Sequence, residues 1–245
     1  MVKRLNPDEK VPFLQHLEEL RKRIIFCVLF LIAAFAVCYN FSDKLLAPFV
    51  KLLGTKMIFL TPLEAMMAYM SLAFYVALFL TVPVLAYQIW AFISPGLLPK
   101  EKRLTMIVVP AASGLFLTGL AFCWFVVLPF AIKFLMAYGG DQMIPMISVK
   151  AYLSFCLSFL LVFGIIFELP LVIIVIHAMG LVTLEALRNF RRYWIVVAFV
   201  IGAILTPTPD VFNQSLTAAP LIVLYEVSLI WIWLFGRKKK TVEND

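Results

Sequence analysis

The stretch FGIIFELPLVIIV, residues 163–175, decides how the chain is read, because Glu168 is the one polar side chain in it. A run this apolar belongs in lipid or in packed protein. An acid near the centre of a membrane helix costs roughly 2.5 to 3.5 kcal/mol on insertion scales, and a lone carboxyl there takes up a proton. Either Glu168 is protonated and bonded to a neighbouring hydroxyl or carbonyl, or it faces a water-filled recess or a partner helix, the commoner setting for an intramembrane acid. Pro170, two residues on, deprives the carbonyl of Ile166 of its helical donor. The two residues together open a polar spot in an otherwise greasy helix.

The rest of the chain supplies the lipid setting. Of 245 residues 64% are hydrophobic, 15% aromatic and only 14% charged, and the mean hydropathy of +1.01 lies well above that of a soluble domain. This is the composition of an all-α integral membrane protein, a single membrane domain over residues 1–245. A membrane helix needs about 20 mostly apolar residues. Six runs qualify or nearly qualify: 24–41, 65–93, 104–132, 151–177, 193–206 and 215–236. The fifth is short. Its residues between Arg192 and Thr206 span about 20 Å at ~1.5 Å each, less than the ~30 Å hydrocarbon core, so the fifth and sixth helices form a short hairpin that thins the bilayer. Pro83, Pro110, Pro129 and Pro170 fall inside or at the ends of long runs, where they kink helices, and curved helices build a concave wall.

Six crossings put both termini on one side, and the charges say which. Sixteen of the 21 Lys and Arg residues fall on the N-terminal segment, the second-to-third and fourth-to-fifth loops and the tail; Lys44, Lys51, Lys56, Lys133 and Lys150 remain for the other side. By the positive-inside rule both ends are cytoplasmic. The same distribution accounts for the basic balance without nucleic acid. Ala34-Phe-Ala36 resembles a signal-peptide cleavage site, but removal of the first run would leave five spans with the ends on opposite sides. Between Asn40 and Glu64, Leu45, Leu46, Phe49 and Leu53 at helical spacing predict a short interfacial helix.

No catalytic constellation is present: there is no HExxH, GxSxG or Walker loop, and Cys27, Cys38, Cys123 and Cys156 all sit in apolar runs without ligand spacing, as packing residues. No metal or cofactor is expected. Glu226, a second acid within a span, suits structural pairing and function equally. Gln88, Thr206 and Gln214 taken singly suit helix packing. In HLEELRKR, residues 16–23, the pairs Glu18/Lys22 and Glu19/Arg23 stand at i,i+4 and support a surface helix.

Four motifs occur in order: HLEELRKR before the first span, FISPGLLPKEKR (92–103) between the second and third, FELP (167–170) in the fourth and TPTPDVFNQ (206–214) between the fifth and sixth. With six spans and cytoplasmic ends, this pattern closely resembles the TatC family, the receptor subunits of the twin-arginine protein translocase, over nearly the whole chain. The family's TPP-D turn stands here as TPTPD, a shift at Thr208 and Pro209. The resemblance implies a multi-pass protein of the cell inner membrane, not an enzyme. A protein of this family would bind the twin-arginine signal peptides of folded precursors, assemble as a homo-oligomer with TatA-like and TatB-like single-span proteins, and work on the proton-motive force. Residue by residue, it assigns signal binding to Glu19 and Glu101 with Arg21 beside them, the intramembrane acid to Glu168, and a partner-helix contact to Thr206 and Gln214. The alternative is a proton-coupled secondary transporter using Glu168 and Glu226, which would show internal repeats that this chain lacks.

Overall fold

The computed structural model describes residues 13–93, 105–137, 145–205 and 211–235, and almost all of them are helical. Helix α1 (Phe13–Asn40) runs without Gly or Pro and is followed by α2 (Ser42–Leu53) and α3 (Pro62–Ile93). Helices α4 (Thr105–Phe122) and α5 (Leu128–Ala137) are joined through a π-helical turn, Cys123–Val127; α6 (Val149–Phe167) and α7 (Leu169–Ala178) meet at Glu168. The described elements close with α8 (Leu184–Leu205) and α9 (Val211–Phe235).

Local chemistry accounts for the breaks. The N–H of Leu128 reaches back to the Cys123 carbonyl, a five-residue bond that places the wide turn just before Pro129, whose ring nitrogen cannot continue the ladder. At the α6–α7 junction the N–H of Glu168 donates to Ile165 O at 3.0 Å, and the helix restarts with Pro170 in its first turn, where a missing donor does no harm. Gly54, at φ 73°, ends α2 by donating to the Val50 carbonyl. Helix α3 starts with a variant of the capping box: Thr61 Oγ1 accepts from Glu64 N at 3.3 Å, and the Glu64 carboxylate reaches back to the N–H of Leu60, one residue before the cap, at 2.7 Å. Glu64 also accepts from the hydroxyl of Ser148, which caps α6, and Ile58 and Ser148 form a β-bridge, so this end of the molecule is tied together by polar contacts.

The short helix expected between Asn40 and Glu64 is present as α2, and its apolar face is turned onto the protein core. Phe49 and Leu53 are buried in the core, Leu45 and Leu46 pack against it, the Phe49 ring stands edge-on to Trp124 and the Phe49 carbonyl accepts from Tyr152 Oη at 3.0 Å.

Helix α1 packs along α3, α4 along α6, α8 along α9, and α6 sits at the middle against α3. Lipid tails are as apolar as leucine, so these contacts rest on close packing more than on escape from water. Small residues supply it. A Cβ built on Gly119 of α4 would lie 2.6 Å from the Phe163 carbonyl of α6, one on Gly164 would enter the Phe116 ring, and Ala73 and Ala77 of α3 are fully buried beside Cys38 of α1. Outward faces stay apolar, with Leu29, Ile32 and Val37 of α1 and Val223, Trp231 and Trp233 of α9 all exposed.

Among the described residues five helical stretches, each overlapping one of the expected runs other than the fifth, are long and apolar enough to cross a membrane. Helix α8 falls outside this set because its first turns carry Glu185, Arg188, Arg191 and Arg192, which leaves an uncharged run only from Tyr193 onward.

Candidate functional site

Helix α1 begins beside the last turn of α3, and the residues facing each other there are polar. Arg23 donates through Nε to Glu19 Oε1 at 3.0 Å, and Nη2 bonds the same oxygen. The guanidinium then crosses to α3, where Nη1 meets Gln88 Oε1 at 2.9 Å and Nη2 meets the Ala91 carbonyl at 3.3 Å. His16 stacks flat on Phe92, ring centroids 4.0 Å apart, with its Nδ1 3.9 Å from Glu19 Oε2. Glu19 and Arg23 share one helix face because four residues make about one turn. Gln88, Ala91 and Phe92 share a face of α3 for the same reason, so two short sequence periods build one polar seam.

Glu19 is therefore a half-exposed carboxylate held at the edge of the bundle by an arginine, 36% exposed against 22% for Arg23. Arg21 is exposed on the same helix. Glu101 lies outside the described residues, in the segment that follows α3. Sequence reasoning paired Arg23 with Glu19 on α1, as the structure has it, but gave Gln88 no part in this seam. The i,i+4 spacing of Glu19 and Arg23 is visible in the sequence, whereas the pairing with Gln88 depends on how α1 leans on α3.

Glu168 occupies the α6–α7 junction, half-buried. Its Oε1 is buried and, among the described residues, has no hydrogen-bond partner; Trp90 Nε1 is the other such buried side-chain atom. An unpartnered buried oxygen costs about 1–3 kcal/mol, more if charged. For Oε1, the bonded hydroxyl or carbonyl of the first reading is not found among the described residues.

The α8–α9 hairpin answers for the remaining polar residues. Gln214 donates through Nε2 to the Phe199 carbonyl at 2.9 Å, and Gly202 lets the two backbones meet there, since a Cβ on it would lie 2.9 Å from Gln214 O. Thr206 lies outside the described residues. Glu226 pairs with Arg191 of α8, whose pKa is pushed up by that hydrogen bond. Next to the pair, Trp194 stacks on Tyr225 at 5.0 Å and donates to Leu221 O, while Tyr225 Oη donates to Leu187 O at 2.7 Å. Of the two roles open to Glu226, the structure displays the pairing, with Arg191 as partner.

A chain of long apolar helices with a polar seam at one edge and an orphaned acid at a helix break has the build of a multi-pass membrane protein. Its relatives narrow the class. The family model described as "Sec-independent protein translocase protein (TatC)" matches residues 15–220, and the chain belongs to that family. The TatC of Carboxydothermus hydrogenoformans is 39% identical over 91% of this chain and 93% of its own, and that of Escherichia coli K12 is 35% identical over 98% and 95%. A crystal structure titled as the twin-arginine translocase receptor TatC in DDM superposes with a TM-score of 0.78 at 37% identity, over 88% of this chain and 98% of the other. The chain is thus a multi-pass membrane component of a protein translocase. The alternative of a proton-coupled secondary transporter gains no support from these relatives.

Proposed function

We propose that this chain is the signal-peptide receptor and core subunit of a twin-arginine translocase, a single membrane domain with no enzymatic activity of its own. The observation that carries the reading is Glu19, a half-exposed carboxylate at the bundle edge, beside the helix end from which the Glu101 segment departs. A twin-arginine signal presents two guanidiniums, each a rigid fork of donors that a carboxylate meets with two parallel bonds. Charge-assisted bonds of this kind contribute ~1.5 to 3 kcal/mol each. Glu19 and Glu101 receive the pair, with Arg21 beside them on α1.

In this reading the basic end of the bundle faces the cytoplasm, α8 is a short fifth crossing that thins the bilayer, and both termini are cytoplasmic in an inner membrane. The kinks at Pro83, Pro110, Pro129 and Pro170 make the wall concave. Glu168, with its orphaned oxygen, takes a polar group from the span of a TatA-like partner or shares a proton with it. Thr206 and Gln214 meet the span of a TatA-like or TatB-like protein where the hairpin is thin. Homo-oligomers of the receptor then pass folded precursors outward on the proton-motive force.

The test is binding of a twin-arginine precursor to the purified receptor. Glu19→Ala and Glu101→Ala should each weaken it while leaving the partner proteins bound, and a lysine pair in the signal should bind more weakly than the arginine pair. Unchanged affinity in the double variant would eliminate the site.

A further inference from the structure

Glu19 already holds a guanidinium. Arg23 places both Nε and Nη2 on the single oxygen Oε1. Oε2 has His16 Nδ1 at 3.9 Å, beyond hydrogen-bond range. We infer that Arg23 is an internal occupant of the receptor carboxylate, displaced from Glu19 when a signal arginine binds, so that Arg23 sets the affinity a signal must exceed; the inference rests on the receptor reading above.

Three features of the contact carry it. First, an incoming guanidinium that meets Glu19 in the two-bond geometry needs both carboxylate oxygens, and Arg23 occupies one of them twice over. Oε2 is where an arriving arginine first finds an acceptor, and Oε1 must be released before the second bond forms. Second, Arg23 has somewhere to stay after release. Its bonds to Gln88 Oε1 and to the Ala91 carbonyl are made to α3 and do not involve Glu19, so the displaced guanidinium keeps two hydrogen-bond acceptors and, at 22% exposure, contact with water, which reduces the cost of losing its carboxylate. Third, the pair is shielded only in part, with Glu19 36% and Arg23 22% exposed. An ion pair in that setting is weak enough to exchange. An ordinary helix-supporting i,i+4 pair would share the first helix alone; this one has a second set of partners on the neighbouring helix.

Competition has a definite signature. An internal occupant lowers the apparent affinity of every cationic signal by the same factor, whatever its side chains. Removing it therefore tightens an arginine pair and a lysine pair alike. The pair's strength, taken at the ~1 kcal/mol upper end for a partly exposed pair, corresponds to about fivefold.

The experiment measures dissociation constants of the whole purified receptor for synthetic peptides carrying two adjacent arginines, or two lysines, ahead of an apolar run. Receptors are wild type, Arg23→Gln, Arg23→Lys, Lys22→Gln, Glu19→Gln and the double variant Glu19→Gln/Arg23→Gln, each checked for an unchanged unfolding midpoint. Arg23→Gln should tighten both peptides about fivefold. Arg23→Lys keeps the charge and loses the fork, and should tighten both by a smaller factor. The gain should vanish when Glu19 is also replaced. Lys22→Gln removes a neighbouring positive charge that pairs with Glu18 at 2.8 Å instead, so it reports relief of long-range repulsion alone. A gain confined to Arg23→Gln, or matched by Lys22→Gln, overturns the exchange. Weaker binding in both folded Arg23 variants also overturns it, because Arg23 is then a brace that orients Glu19. If Glu19→Gln binds the arginine peptide as wild type does, the receptor reading falls and takes the exchange with it; if Glu19→Gln weakens binding and the Arg23 variants change nothing, only the exchange falls.

Discussion

Two glycines five residues apart on α4 should respond oppositely to the same added methyl. A Cβ on Gly114 meets nothing within 4 Å. Gly114→Ala should therefore show only the helix-propensity gain, about 0.5–1 kcal/mol of stabilisation. On Gly119 the built Cβ lies 2.6 Å from the Phe163 carbonyl and 2.9 Å from Phe167 Cβ. The first is backbone and cannot swing aside, and Phe167 is nearly fully buried, so α4 and α6 must part. Forced overpacking of a close-packed contact costs typically about 1–3 kcal/mol, set against the same propensity gain. Gly119→Ala should end about 2 kcal/mol less stable than Gly114→Ala. Reversible unfolding in mixed detergent, followed by tryptophan fluorescence, measures both variants on one scale. Because lipid offers no apolar penalty to parted helices, the loss tests backbone proximity and not solvent exposure. Equal stability of the two variants, or a more stable Gly119→Ala, would refute the claim that α4 and α6 approach each other through that glycine.

Three further outcomes are expected. In a chain otherwise free of cysteine, Lys51→Cys and Met143→Cys should react with an impermeant thiol reagent added outside intact cells and Lys238→Cys should not; labelling at position 238 contradicts cytoplasmic termini. Glu168→Gln, which keeps a hydrogen-bonding side chain, should retain more precursor export than Glu168→Leu, and full export by the Leu variant would mean that the orphaned carboxyl is merely tolerated. A photo-crosslinker at Gln214 should reach the span of a single-helix partner, where each interhelical hydrogen bond contributes around 1 kcal/mol; products with lipid or with the chain's own α8 alone would confine Gln214 to its bond with the Phe199 carbonyl.

Much of the helical layout was open to reading along the chain because the bilayer makes local demands. A segment in lipid must satisfy its own backbone, so long uncharged runs announce helices, and α1, α3 and α9 lie where those runs do. Local rules also place the break at Glu168 and the short helix α2: a proline withdraws a donor at a known distance, and four apolar residues recur at helical spacing. The sixteen-to-five division of basic residues is likewise a property of sequence order alone, and the motif resemblance to TatC needed only residues in a row.

Which polar groups meet was another matter, because those contacts join residues far apart in the chain. Arg23 finds Gln88 sixty-five residues on, and Arg191 finds Glu226 thirty-five on. The pattern of either helix reveals which face is polar, but not the lean of one helix on the next that brings two such faces within 3 Å. Glu226, read from sequence as equally suited to pairing and to function, acquires Arg191 because α8 and α9 lie side by side. Glu19, legible as an acid at the edge of the first span, turns out to be occupied. The acid at the opening stretch keeps the character its neighbours imply, since in an apolar run only another helix can supply a partner, and the described helices of this chain supply none to Glu168 Oε1. Sequence determined where charge was expensive; tertiary packing decided which charges found relief, because hydrogen bonds demand a partner at fixed distance and direction and apolar burial does not.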